Sequence, residues 1–445
     1  MALKIVAKDQ LLSKKYLNPE IMAIGDSIFN GVRSLSLSGQ LAALSPIAQM
    51  ADALKLKCTT PDYPRPVLVD LEEAFRGGLP DLIDLKAAAV KNAQAWIKEL
   101  PTWSKHIAFD NIAIAGATYP DLLTTTAGEQ RGKIHKALKN LKDAKGLSFY
   151  GKLFALYNAI NTIFLLNPTG LPELDDLTPI DMVSHRKPKR LFINIGNNEG
   201  LFRIGVSGDY NEADKKLLRS IPTFATELAE HLVKDCGDVE RIYFNLLIRP
   251  RVLANLAPRT DNEMYQTPEN GGYFKTYVGR LTDKNEMTAK QMESFDNEVS
   301  KVNAATEANM KAVFGAQAHK LQFVNIFNIS EQFDTKHWGD TRKVPVRRKA
   351  VTWQLSNYPF SSNIGGFRQG GLWGLDNMHP AAAGYALLAE EMRQVVVKTE
   401  DIANSLPILP QKAFDKDTLL QDVPRNWDAL MLVFSAFANL GFFRM

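Results

Sequence analysis

The sequence contains little cysteine: Cys58 and Cys236 are the only two in 445 residues. Two thiols can form at most one bridge, so a disulfide framework is excluded. They are also too few for a structural zinc site, and the seven histidines show no HExxH or other paired metal-ligand spacing. The composition therefore favours two buried free thiols over a single bridge, and it predicts neither a metal centre nor a bound cofactor.

Long apolar runs and basic runs are missing as well. No stretch reaches about 18 apolar residues without a charge, so no membrane-spanning helix is expected. The first residues become charged before an apolar core of signal-peptide length appears. We therefore expect a cytoplasmic location, or secretion if a signal has been trimmed. The Lys/Arg stretches 185–190 and 347–349 are short and the net charge is only +4, which argues against nucleic-acid partners.

What is present is the composition of a globular protein. Hydrophobic residues make up 45% and charged residues 23%, which excludes disordered, collagen-like and coiled-coil classes. Short β-rich apolar runs alternate with longer helical patterns, as is typical of an α/β sheet with crossover helices. We predict strands at Glu20–Ile24, Asn111–Ala115, Arg190–Ile195, Arg241–Leu247 and Gln322–Ile326, with a weaker one at Leu56–Thr59. We predict helices at Gly39–Leu54, Leu82–Glu99, Arg131–Asp143, Ala213–Lys234, Met287–Val313 and Pro380–Lys398.

Two connections are too long to be plain loops between a strand and a helix. Residues 124–181 contain the apolar segment Leu153–Leu166, and Ile248–Lys284 is rich in proline and aromatic residues. Either segment could form a lid over a site or an accessory element that covers the core. The apolar stretch Trp427–Phe443 near the C-terminus is predicted to be a docking helix rather than a membrane anchor.

Four short segments place reactive residue types where a predicted strand ends or a helix begins. In the first, Gly25-Asp26-Ser27, the serine lies at the carboxyl end of a strand, where open α/β sheets bind ligands. In the second, Gly116 ends the strand Asn111–Ala115, and a glycine lets its backbone N–H approach a ligand closely. Taken alone, each of these segments is more typical of an ordinary turn.

The third and fourth segments lie later in the chain. In Gly196-Asn-Asn-Glu199, a side-chain amide just past a strand can donate to a developing oxyanion while it stays neutral. In the fourth, Asp376 and His379 precede a helix that Pro380 would open. Their spacing lets the carboxylate hold one imidazole N–H and leaves the other nitrogen free as a base. The fixed order of all four segments indicates a catalytic site more strongly than any one of them does.

In this order the four segments resemble the sequence blocks of the SGNH/GDSL hydrolase family. The closing block is the most specific: residues 370–380 read Gly-Gly-Leu-Trp-Gly-Leu-Asp-Asn-Met-His-Pro, and 384–389 read Gly-Tyr-Ala-Leu-Leu-Ala. The resemblance implies a three-layer α/β/α sandwich with a mostly parallel, five-stranded, flavodoxin-like sheet and helical insertions. The expected parts are an SGNH domain at 1–400, insertions at about 60–105, 124–181 and 248–284, and a docking C-terminal extension at 401–445.

The resemblance also implies roles for individual residues. Ser27 would be the nucleophile, His379 the general base and Asp376 the carboxylate that orients it. The oxyanion hole would consist of the backbone N–H groups of Ser27 and Gly116 and the side-chain amide of Asn198.

Three departures from the family pattern concern the third and second blocks. The family's Gly-x-Asn-Asp appears here with Glu199 in the last position, and the adjacent Asn197 is a rival of Asn198 for the oxyanion role. Gly116 lies further from Ser27 than in compact members of the family, which implies an insertion between these two blocks.

The implied reaction is acyl transfer to water by a serine esterase or lipase. The apolar segments Leu153–Leu166 and Ile248–Lys284 would suit an acyl chain, so the sequence favours small-molecule or lipid esters of acyl type. The alternatives are a carbohydrate O-deacetylase and an acyltransferase with the same fold. A non-catalytic binding module is less favoured because all the reactive residues are intact. The sequence does not determine the oligomeric state.

Overall fold

The chain is described by a computed structural model. It covers residues 16–77, 85–99, 104–143, 148–264, 271–282, 285–338, 343–402, 404–429 and 431. The strands are β1 (Ile21–Gly25), β2 (Arg190–Asn194), β3 (Arg241–Asn245), β4 (Leu256–Ala257), β5 (Thr276–Gly279), β6 (Glu286–Thr288), β7 (Leu321–Val324), β8 (Val344–Arg348), β9 (Val351–Leu355), β10 (Ser361–Asn363) and β11 (Gly366–Gln369).

The helices alternate with these strands. They are α1 (Ser27–Asn30), α2 (Gly39–Ala42), α3 (Pro46–Leu54), α4 (Leu71–Gly77), α5 (Leu85–Lys98), α6 (Tyr119–Thr124), α7 (Ala127–Asp143), α8 (Ser148–Leu166), α9 (Pro179–Arg186), α10 (Leu201–Ser207), α11 (Glu212–Asp235), α12 (Asp261–Met264), α13 (Ala289–Phe314), α14 (Ile326–Ser330), α15 (Thr335–Trp338), α16 (Ala382–Thr399), α17 (Pro410–Phe414) and α18 (Thr418–Gln421).

The central sheet is parallel, with the strand order β1-β2-β3-β7. Successive side chains of a strand point to opposite faces, and both faces are buried here. Met22 and Ile24 join the larger apolar core on one face. Ile21 and Ala23 join a second core on the other face, together with side chains of α3 and α16. Helices therefore cover both sides of the sheet, which confirms the predicted three-layer α/β class.

The predicted strand Asn111–Ala115 lies parallel to β1 at the sheet edge but forms only a single bridge, between Asn111 and Ala23. The Asn111 side chain accepts the Ala113 N–H at 3.2 Å, and the chain turns at Gly116, where φ is +80°. The Ile112 and Ile114 N–H groups donate to the carbonyls of Ala23 and Gly25 in β1, but the segment ends at this turn and does not become a full strand. The described residues thus contain four regular strands in this sheet, and the fifth is reduced to a bridge.

Two other local predictions also differ from the structure. The predicted helix Gly39–Leu54 is divided into α2 and α3, because Ser45 accepts the Ala48 N–H and Pro46 opens a new helix. Leu56–Thr59 forms no strand. The other predicted helices lie within about one turn of the observed bounds where the structure describes them.

The apolar segment Leu153–Leu166 forms most of α8 and is part of the core. Leu156, Ile160 and Ile163 are fully buried, and α8 packs against α7. In the connection after β3, the side chains of Tyr273, Phe274 and Tyr277 are buried as well. Both segments therefore cover the core with their apolar side chains.

Three further features concern the thiols, the C-terminus and membrane crossing. Both cysteines are free, with Cys236 buried and Cys58 half-buried. Of the predicted docking helix Trp427–Phe443, only Trp427–Ala429 and Met431 are described, and the rest lies outside the described residues. None of the helices that the structure describes is both long and apolar enough to cross a membrane.

Candidate active site

Ser27 is positioned by a sharp turn between β1 and α1. The turn begins at Gly25, whose φ is +139° and where a β-carbon would collide with the carbonyl oxygen of Asn194. Only glycine fits such a conformation and such a close approach. Asp26 then caps α1 by accepting the Ile28 N–H at 3.1 Å. Ser27 is thereby the first residue of a helix at the carboxyl edge of the sheet.

Asp376 and His379 meet Ser27 in one hydrogen-bond path. The distance between His379 Nε2 and Ser27 Oγ is 2.9 Å, and that between His379 Nδ1 and Asp376 Oδ2 is 2.8 Å. The other oxygen, Asp376 Oδ1, accepts the backbone N–H groups of Met378 at 3.0 Å and of His379 at 2.9 Å. All three side chains are buried.

The charge on Asp376 determines which imidazole nitrogen carries the proton. Burial raises the pKa of this carboxyl, but the charge of His379 and the hydrogen bonds from its ring and backbone outweigh burial, and the pKa is lowered below its ordinary value. The Leu35 N–H also donates to Asp376 Oδ2, at 2.9 Å. An ionised carboxylate only accepts, so Nδ1 of His379 carries the proton and Nε2 faces Ser27 as an acceptor.

The backbone N–H groups of Ser27 and Gly116 lie at this edge, and neither has an acceptor within the described ranges. Gly116 follows the segment that pairs with β1, and it adopts φ +80°. A β-carbon built there would lie 3.1 Å from Asn158 Nδ2, and Asn158 is an exposed polar residue of helix α8. Both N–H groups are available to a ligand oxygen.

The two adjacent asparagines of the third block point to different partners. Asn198 Nδ2 donates to the carbonyl oxygen of Ala117 at 2.8 Å, next to Gly116. Asn197 Nδ2 donates to Asp26 Oδ2 at 2.7 Å, and Asn194 donates to the other oxygen at 2.8 Å. A primary amide has two N–H donors, so Asn198 keeps one besides the N–H that bonds Ala117.

Glu199 is buried behind these asparagines. Its Oε1 accepts the Tyr119 N–H at 2.6 Å, whereas Oε2 has no hydrogen-bond partner in the part of the chain that the structure describes. Burial, with a smaller contribution from the nearby charge of Asp26, raises the pKa of Glu199 to about 8. Burial likewise raises the pKa of Asp26 to about 6. Glu199 is therefore largely protonated at neutral pH, and it joins the third block to the start of α6.

Sequence reasoning missed several contributors to this arrangement. Leu35, which donates to Asp376, and Asn194, which donates to Asp26, carry no pattern that distinguishes them in the sequence. Asn158 could have been singled out from the sequence, because it is one of few polar positions in Leu153–Leu166. No group of three or more potential metal ligands comes together among the residues that the structure describes.

Comparison with known proteins gives one family. The sequence profile of the GDSL-like Lipase/Acylhydrolase family matches residues 21–392, which include all four segments and most of the chain. No curated protein and no solved structure matches the chain significantly. The residues that meet at the carboxyl edge of the sheet all lie within the matched range. The chain therefore belongs to the GDSL-like lipase/acylhydrolase family, whose members hydrolyse ester bonds.

Proposed function

We propose that this protein is a carboxylic ester hydrolase with Ser27 as nucleophile, His379 as general base and Asp376 as the carboxylate that orients the imidazole. The proposal depends above all on the continuous hydrogen-bond path from Ser27 Oγ through His379 to Asp376, with steps of 2.9 and 2.8 Å. A serine hydroxyl at its ordinary pKa is a poor nucleophile, and an adjacent oriented base activates it.

The reaction proceeds in two halves. His379 Nε2 takes the Ser27 proton as Oγ bonds to the ester carbonyl carbon, and the carbonyl π electrons move onto oxygen. When the tetrahedral intermediate collapses, the bond to the alkoxy oxygen breaks and His379 gives its proton to the leaving alcohol. Water then attacks the acyl-enzyme in the same way, and Ser27 regains its proton as the carboxylic acid leaves.

The tetrahedral oxyanion needs donors aimed at it. We assign this role to the N–H groups of Ser27 and Gly116 and to the free amide N–H of Asn198. These donors are neutral: two belong to the backbone, and the Asn198 amide is held by its bond to the Ala117 carbonyl, so they need little reorganisation as charge develops. Two hydrogen bonds join the second and third blocks: the Ala117 carbonyl accepts from the Asn198 amide, and the Glu199 carboxyl accepts the Tyr119 N–H.

The two asparagines supply a matched pair of variants. We expect Asn198→Ala to lower kcat by about 10²–10³ with little change in KM, because it removes a donor that acts mainly in the transition state. Asn197→Ala should cost less, because the Asn197 amide contacts Asp26, whereas the Asn198 amide contacts the carbonyl next to Gly116. Steady-state hydrolysis of p-nitrophenyl acetate measures both, and the reverse ranking would assign the oxyanion role to Asn197.

A second proposal concerns the length of the acyl group in the substrate. The lipid-type preference depended on two segments that bury many of their large apolar and aromatic side chains in the core, including Leu156 and Ile160 of α8. The exposed residue that α8 presents beside Gly116 is Asn158, whose amide can hydrogen-bond a hydroxyl. These observations favour a short acyl group on a polar alcohol, as in a carbohydrate O-deacetylase, over a long-chain lipid ester.

Two measurements on the purified protein test these proposals. A fluorophosphonate probe should label wild type at Ser27, as located by peptide mass spectrometry, and should not label Ser27→Ala. Hydrolysis rates of p-nitrophenyl esters from acetate to palmitate should fall with chain length. Labelling at another residue, or no labelling, would refute the assignment of Ser27 as the nucleophile. A maximum hydrolysis rate at long acyl chains would instead favour lipid esters as substrates.

A further inference from the structure

A tight turn at residues 33–36 touches the catalytic loop. Arg33 and Ser36 exchange backbone hydrogen bonds of 3.1 and 2.8 Å, and between them Ser34 and Leu35 adopt φ values of +53° and +54°. Two consecutive non-glycine residues in this left-handed region are strained, and such a turn persists only where its surroundings hold it. Strain of this kind is concentrated at functional sites.

A backbone N–H group of this turn donates a hydrogen bond to Asp376. The Leu35 N–H donates to Asp376 Oδ2 at 2.9 Å, the same oxygen that faces His379 Nδ1. Ser34 Oγ accepts the Leu375 N–H at 2.9 Å, so the two segments are joined on both sides of this contact. The position and charge of Asp376 therefore depend on where the turn lies.

A buried ion network holds the turn in place. The Arg33 guanidinium donates to both oxygens of Glu72 at 2.7 Å each and to Asp417 at 2.9 Å. Ser34 Oγ also donates to Glu72, at 2.8 Å. The side chains of Arg33, Glu72 and Asp417 are at most 3% exposed. Removing one partner of such a network leaves a charge uncompensated, so its members are strongly coupled.

Asp417 links this network to the other side of the catalytic loop. Its second carboxylate oxygen accepts the Ala382 N–H at 3.0 Å, at the start of α16, which follows closely after His379. The oxygen that Arg33 contacts also accepts the Leu420 N–H at 3.1 Å and so caps α18. Asp417 lies beyond residues 21–392, the range that matches the family.

We propose that Asp417, in the C-terminal extension, is a positioning residue of the active site. Through Arg33 it fixes the turn that presents the Leu35 N–H to Asp376. Through Ala382 it fixes the start of the helix that follows the catalytic histidine. This inference rests on the proposed ester hydrolase, and it makes the extension a functional part of the site.

The test compares two variants of the same segment in the full-length protein. Asp417→Asn replaces one of the two acceptor oxygens by an NH₂ group. The variant side chain can then accept a hydrogen bond from Arg33 or from Ala382, but not from both, and its NH₂ group faces the donor that is left. We expect kcat on p-nitrophenyl acetate to fall about 10–100-fold with KM within about threefold, because small misplacements of catalytic groups are costly. The control Asp422→Asn, whose side chain is 82% exposed, should match wild type.

A second readout does not depend on activity. The His379 Nδ1–H, hydrogen-bonded to a carboxylate, should give a downfield proton resonance that is absent from His379→Ala. We expect Asp417→Asn to shift or broaden this resonance and Asp422→Asn to leave it unchanged. If wild type shows no Ser27-dependent hydrolysis, the proposed function fails, and the resonance still tests the positioning.

A milder variant tests the proposal if Asp417→Asn does not fold. Thr418→Val removes a hydroxyl that accepts from Arg33 at 2.6 Å and donates to Glu72 at 3.5 Å, and it leaves both carboxylates in place. It should lower kcat several-fold and move the His379 resonance in the same direction as Asp417→Asn. A folded Asp417→Asn, or a folded Thr418→Val if the former does not fold, that keeps wild-type kcat and an unshifted resonance would overturn the proposal.

Discussion

Replacing Ser27 by alanine should lower kcat for ester hydrolysis by about 10⁶-fold. Without the hydroxyl no acyl-enzyme forms, and the bound ester can react only with water. Because Ser27, His379 and Asp376 act as a unit, Ser27→Ala/His379→Ala should be no slower than either single variant. Steady-state kinetics on p-nitrophenyl acetate, with circular dichroism as the folding control, measure this. A double variant far slower than both singles would mean that the two residues act separately.

The third member of the unit should have a smaller but diagnostic effect. Asp376→Asn keeps the size of the side chain, yet its amide can donate toward His379 Nδ1 and so favour the tautomer whose proton faces Ser27. We expect kcat to fall by about 10⁴-fold. Fluorophosphonate labelling of Ser27 should slow in parallel, because it needs the same base. Labelling at the wild-type rate would remove Asp376 from the proposed mechanism.

Glu199→Gln should stabilise the protein at alkaline pH. Burial raises the pKa of Glu199 from 4.5 in the unfolded chain to about 8 in the folded protein, so the folded state holds the proton more tightly. The stability from this group is fully present below about pH 4.5 and is lost as the pH rises through about 8. A shift of this size corresponds to ~5 kcal/mol at pH 9. Glutamine cannot ionise, and it keeps the acceptor for the Tyr119 N–H.

Urea unfolding at pH 5, 7 and 9 measures this effect. The free energies of unfolding of wild type and Glu199→Gln should be close at pH 5 and diverge toward pH 9, with the variant more stable. The exposed Glu240, changed to Gln, is the control for removal of a charge alone. A constant difference between wild type and Glu199→Gln at all three pH values would contradict the sign and the origin of the effect.

The candidate site was predictable because its four segments are local patterns. Ser27 follows an apolar strand and a glycine turn, and His379 follows Asp376 at a spacing that suits a hydrogen bond within one loop. Such features depend on neighbours along the chain, and so the sequence predicts them well. The apolar segment Leu153–Leu166 was harder, because a buried core helix and an acyl-binding lid have the same composition.

The sequence by itself determined the parallel α/β class, the order of the four segments and the residue types that could carry acyl transfer. The tertiary structure alone decided which side chains meet across long separations. Leu35 and Asp376 are 341 positions apart, and Arg33 and Asp417 are 384 apart. It also decided the protonation of Glu199, which depends on burial. Periodicity and propensity act over a few residues, whereas partner choice and desolvation depend on how the whole chain packs.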